Sequence, residues 1–62
     1  MIQKKIIEYI LRSDLIIVRN KPDWIQIEKN EKTNEKFILK LCSKFKNIKI
    51  QCTEDFIHIL ST

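Results

Sequence analysis

Two five-residue stretches of this chain repeat one order: acid, aromatic, isoleucine, polar residue, isoleucine. They are Asp23-Trp24-Ile25-Gln26-Ile27 and Asp55-Phe56-Ile57-His58-Ile59. Such alternation is the period of a half-buried β-strand, because successive side chains leave a strand on opposite faces. At roughly 100° per residue, a helix would put Ile25 and Ile27 on opposite sides. Each stretch is therefore expected to be an inner strand with one face in a core. For the second stretch, a short helix capped by Thr53 is the rival reading.

The other elements follow from period and punctuation. Residues 2–12 place Ile2, Ile6, Ile7, Ile10 and Leu11 at helical spacing, although so much isoleucine also suits a strand. Ser13-Asp14 ends this segment, and Leu15 to Arg19 reads as a short strand. Asn20-Lys21-Pro22-Asp23 forms a turn in which Pro22 fixes one φ angle. Lys29 to Asn34 is a polar connection where Asn30, Thr33 or Asn34 can cap a helix. Residues 35–46 carry Phe37, Ile38, Leu41, Cys42 and Phe45 on one helical stripe, with Lys36, Lys40, Lys44 and Lys46 mainly off it. Ile48, Ile50 and Cys52 then alternate with Lys49 and Gln51, and Phe56 to Leu60 completes the chain as a fourth strand.

Helix, strand, strand, twice over, suggests an internal repeat of residues 1–30 and 31–62. Through the helices Ile6 matches Phe37 and Ile10 matches Leu41; through the strands Ile16 matches Ile48, Val18 matches Ile50, and Trp24 matches Phe56. Any two isoleucine-rich helix–hairpin units would match to a similar degree, so chance similarity stays open. The expected architecture is a single α+β domain, 1–62. It is a two-layer sandwich with a four-stranded antiparallel sheet and two helices on one face. The tandem αββ-αββ order is a permuted ferredoxin-like topology, with Trp24–Glu28 and Phe56–Leu60 side by side at the centre.

Size and composition narrow the function. A chain this short buries only about 60% of its unfolded surface, and its core should supply no more than ~3–5 kcal/mol. With 44% apolar residues it is not a disordered segment. Twelve Lys/Arg against eight Asp/Glu leave a modest +4, which favours a polyanion without requiring one. The longest apolar run, Leu15-Ile16-Ile17-Val18, is far too short to span a bilayer. The opening residues lack a secretory cleavage pattern, and Glu8 interrupts their apolar part. A cytoplasmic protein with Cys42 and Cys52 as free thiols is the expectation, with no membrane partner.

The most informative expectation concerns the side of the sheet away from the helices. Suppose Ile16, Val18, Ile25, Ile27, Ile48, Ile50, Ile57 and Ile59 face the helices. The other side then shows Trp24, Phe56, His58, Gln26, Leu60, Ile17, Arg19 and Lys49, beside Leu15, Glu28 and Gln51. An open sheet face is normally polar, and this one is too apolar for a solitary monomer. It should bind something. A protein partner leads, either a second copy in a homodimer or another chain, because Trp and Arg recur at interface hot spots. Single-stranded RNA or DNA is the alternative: aromatic rings on central strands can stack bases, with Arg19 and Lys49 supplying a salt-dependent term.

Catalysis finds little support. Cys42, Cys52 and His58 are three soft ligands where a structural zinc site wants four, usually in close pairs. Both cysteines read as small core residues. No motif places a nucleophile beside His58, and without a single glycine the chain cannot build a phosphate-cradling loop. So thin a core leaves little room for a substrate pocket. The chain is expected to be a non-enzymatic interaction module with no metal, cofactor or small-molecule substrate.

Overall fold

Thr53 decides how the last segment folds. Its backbone N–H donates to the Phe56 carbonyl at 2.8 Å, and its hydroxyl accepts the Phe56 N–H at 3.0 Å. These bonds close a hairpin around Glu54-Asp55 and send the chain back as a strand, not a helix. A computed structural model, which describes Ile2 and residues 4–62, has six elements. They are α1 (Lys4–Arg12), β1 (Ile17–Asn20), β2 (Trp24–Glu28), α2 (Glu35–Lys44), β3 (Ile48–Cys52) and β4 (Phe56–Ser61). The strands form one antiparallel sheet in the order β1-β2-β4-β3. The two alternating stretches are the central pair, as expected. A second tight hairpin joins β1 to β2 around Pro22-Asp23, closed by the Lys21 N–H on the Trp24 carbonyl at 2.8 Å.

Helix ends follow capping chemistry. The Asn34 side chain accepts the Phe37 N–H at 3.0 Å and so caps α2. Thr33, buried just before it, exchanges hydrogen bonds with the Asn30 backbone at 2.8 and 2.9 Å. At its other end α2 stops at Lys44, two residues earlier than the spacing predicts. Phe45 turns to an extended conformation there and buries its ring. Of the predicted first helix, Gln3 lies outside the described residues. Ile2 is not helical; its N–H donates to the Pro22 carbonyl at 2.7 Å and its side chain is buried.

One core joins the two layers. Ile6 and Ile10 of α1, Phe37 and Leu41 of α2, and Phe45 cluster with Ile25, Ile27, Ile57 and Ile59 of the central strands. Across the sheet Ile25 stands opposite Ile59, and Ile27 opposite Ile57. Each buried isoleucine contributes roughly 1.5–3 kcal/mol of transfer free energy. Four of them together give about 6–12 kcal/mol of gross burial, more than the net stability expected at this size, so the fold depends on this contact. Tyr9 ties the helices together, stacking on Phe37 at 6.2 Å and meeting Phe45 edge-on at 5.8 Å.

The first strand corrects the sequence expectation. Ile17 pairs with Ile27 and packs against the core, whereas Arg19, not Val18, stands opposite Gln26. Val18 is the extra residue of a bulge, and one extra residue reverses the in/out pattern before it. Leu15 is therefore buried at 5% exposure while Ile16 is 58% exposed. Val18 is exposed too, so the inward set predicted for this strand is inverted. Ile48 and Ile50 do lie against the core, though half-exposed on the edge strand β3. Cys42, Cys52 and Leu11, read as core residues, are exposed.

Asp14 (φ 59) and Asn47 (φ 63) turn the chain from helix to strand through the left-handed region, which Asn and Asp tolerate best after glycine. The Asp14 carboxylate accepts a hydrogen bond from Lys32 Nζ at 2.8 Å. That bond, and then the lysine's charge, hold its pKa below the usual carboxylate range. Its stabilising contribution is thus present at neutral pH and fades as pH falls through the lowered value.

The bulge gives a direct test. Leu15→Ala should cost about 2–5 kcal/mol, enough to unfold much of the population, while Ile16→Ser should stay within about 0.5 kcal/mol of wild type. Urea denaturation followed by circular dichroism reads both; equal costs would remove the inverted pattern.

Candidate functional site

The register of β2 against β4 puts Trp24, Gln26 and Glu28 on the side opposite the buried isoleucines, facing Leu60, His58 and Phe56 respectively. Both helices occupy the isoleucine side, so among the described residues no layer covers this one. Three rows run across it. The middle row crosses all four strands as Arg19, Gln26, His58 and Gln51. Trp24, Leu60 and Lys49 form the row at one end. Glu28 and Phe56 form the row at the other.

His58 organises the rings. Its imidazole meets Trp24 edge-on at 5.5 Å (84°) and lies nearly parallel to Phe56 at 6.5 Å (10°). Gln26 Nε2 stands 3.0 Å from His58 Nε2, within hydrogen-bond distance. Trp24, Phe56, His58, Gln26 and Leu60 are all half-buried, while Arg19, Lys49, Glu28 and Gln51 are exposed at the margins. A shallow depression of about 280 Å³ opens between Trp24, Gln51, His58 and Leu60. The face thus combines apolar ring surface, amide groups and flanking charge of both signs.

Nine of the eleven residues predicted for this face lie on it. Ile17 and Leu15 do not: the bulge carries both to the core side. Among the described residues no group of three His, Cys, Asp or Glu side chains could hold a metal ion. His58 and Cys52 belong to opposite faces, since Cys52 pairs with the buried Ile57. No helix among the described residues is long and apolar enough to cross a membrane. Sequence reasoning passed over Tyr9, whose place three residues after Ile6 on α1 is the available signal of its role between the helices. No family model, curated protein or solved structure matches this chain.

If His58 props the two larger rings, His58→Ala should cost about 0.5–1.5 kcal/mol and shift the emission of Trp24, the sole tryptophan, towards that of a water-exposed indole. Fluorescence spectra with denaturant titration check both. An unchanged spectrum would mean that Trp24 does not rest on the imidazole.

Proposed function

We propose that this chain is a small, non-enzymatic interaction module that self-associates through the uncovered face of its sheet. One observation carries the reading: Trp24, Phe56, Leu60 and His58 form a contiguous strip with no layer over it among the described residues. Exposed apolar strips of this kind are used for contact, and tryptophan is among the commonest anchors.

The geometry bears on how tight the contact is. Four strands about 4.8 Å apart and five residues long span roughly 19 by 17 Å. That is small beside the ~800 Å² that each partner buries in a standard interface, so the dimer is weak and concentration-dependent. The reading also takes the chain to be cytoplasmic, in keeping with two exposed free thiols.

We further read the chain as two copies of one αββ unit in a permuted ferredoxin-like order. Bonds related by a shift of thirty-two residues support this. Lys21 N–H to Trp24 C=O recurs as Thr53 N–H to Phe56 C=O, and Lys29 N–H to Asp55 C=O is answered by Ser61 N–H to Asp23 C=O. The same shift exchanges the pair Trp24–Leu60 with the pair Glu28–Phe56 and leaves Gln26–His58 in place. The approximate two-fold axis of this reading passes between Gln26 and His58. A face with its own two-fold axis can meet a second copy isologously in more than one orientation.

Single-stranded nucleic acid is the second reading, favoured by Arg19 and Lys49 flanking the aromatic strip on either side. Sedimentation at several concentrations, with and without a labelled oligonucleotide, separates the two. Trp24→Ala with Phe56→Ala should abolish dimerisation while leaving the helical circular dichroism largely intact. A monomer that binds the oligonucleotide with steep salt dependence would replace the first reading with the second.

A further inference from the structure

The charge of this protein is unevenly placed. Six cations and two acids lie within α1 and α2, which is the entire net charge of +4; the remaining six cations and six acids cancel. On α2, Lys36, Lys40 and Lys44 follow one another at one-turn spacing, so they neighbour and repel each other. Lys44 lies over the Tyr9 ring at 4.9 Å, and Lys32 is neutralised by Asp14. Among the described residues, neither Lys36 nor Lys40 has an ion-pair partner.

Those two lysines border a groove between α1 and α2. It has a volume of about 680 Å³, and its lining includes Tyr9, Phe37, Leu39, Lys32, Lys36 and Lys40. The floor is aromatic. Leu39 stands on the rim at 63% exposure with nothing over it among the described residues. A polyanion such as a phosphodiester backbone would satisfy the lysines yet leave Tyr9, Phe37 and Leu39 without an apolar counterpart. An acidic amphipathic helix satisfies both, because carboxylates one turn apart match lysines one turn apart while its apolar side settles on the floor.

We propose that the groove between α1 and α2 docks an acidic amphipathic helix of a partner protein, with carboxylates on Lys36 and Lys40 and apolar side chains against Tyr9, Phe37 and Leu39. This site is separate from the sheet face and does not rest on it. α2 is about 15 Å long, so two to three turns of partner helix cover it.

Fluorescence anisotropy with a labelled helical peptide of about fourteen residues, leucines along one side and glutamates one turn apart along the other, tests the proposal. The full chain should bind it. Lys36→Glu with Lys40→Glu should weaken binding at least about tenfold, and Lys36→Gln with Lys40→Gln should act in the same direction. Leu39→Ala should weaken binding without changing its salt dependence, and Trp24→Ala should leave it unchanged. The proposal is overturned if the peptide fails to bind, or if a peptide of glutamates alone binds as well. Displacement of the labelled peptide by an equal concentration of single-stranded oligonucleotide would overturn it too.

Discussion

Pairing between β2 and β4, with Gln26 opposite His58, is the contact on which the other placements depend. A strand has a side-chain period of two, so a slip of one residue would exchange the two faces of both strands at once. With this register, Ile25, Ile27, Ile57 and Ile59 all lie beneath the helices and are fully buried. The same register sends Trp24, Phe56 and Leu60 to the other side. Burying the isoleucines and baring the aromatics are one decision. Moving the rings inward would bring out four residues whose gross burial free energy exceeds the net stability of so small a domain.

How far this was legible depends on local chemistry. The central strands announce themselves, because acid, aromatic and alternating isoleucine leave one reading of their faces. Hence the six residues expected on the open side of these two strands, Trp24, Gln26, Glu28, Phe56, His58 and Leu60, are all there. The first strand could not be read in the same way. Leu15, Ile16, Ile17 and Val18 are apolar without alternation, so nothing in the run marks which ones face inward. The bulge at Val18 is set by pairing with β2, a tertiary constraint. Cys42 and Leu11 fail for another reason: each sits at the margin of a helical stripe, where small tilts of a helix on the sheet decide exposure. Phe45 accounts for the early end of α2, since its ring is buried by leaving the helix and only two more residues of helix are given up.

The two layers expose chemically different surfaces. Outside the helices the sheet and loops are balanced in charge, and the open sheet face is dominated by rings and amides. The helical layer carries the net charge and a groove with an aromatic floor. Contacts through these surfaces respond to different variables. Apolar ring burial changes little with ionic strength, whereas unpaired lysines facing carboxylates are screened within about 8–10 Å at ordinary salt. The proposed self-association and the proposed helix docking can thus occur on one small molecule without competing for residues.

That the proposed self-association is weak also follows from how the strip is built. Trp24 already rests its environment on the His58 ring, and Phe56 lies parallel to the same ring, so much of their surface is withdrawn from water in the single chain. A second copy can gain only the exposure that remains. This half-burial lets a thin-cored chain keep aromatics on an open face without collapsing around them, since the four inward isoleucines hold the opposite side. Association of this kind would couple folding to binding: a partner that binds only the folded chain stabilises it by RT ln(1 + L/Kd), where L is the free partner concentration. For a domain with so little stability in hand, a weak contact on the aromatic strip would still shift the fraction folded.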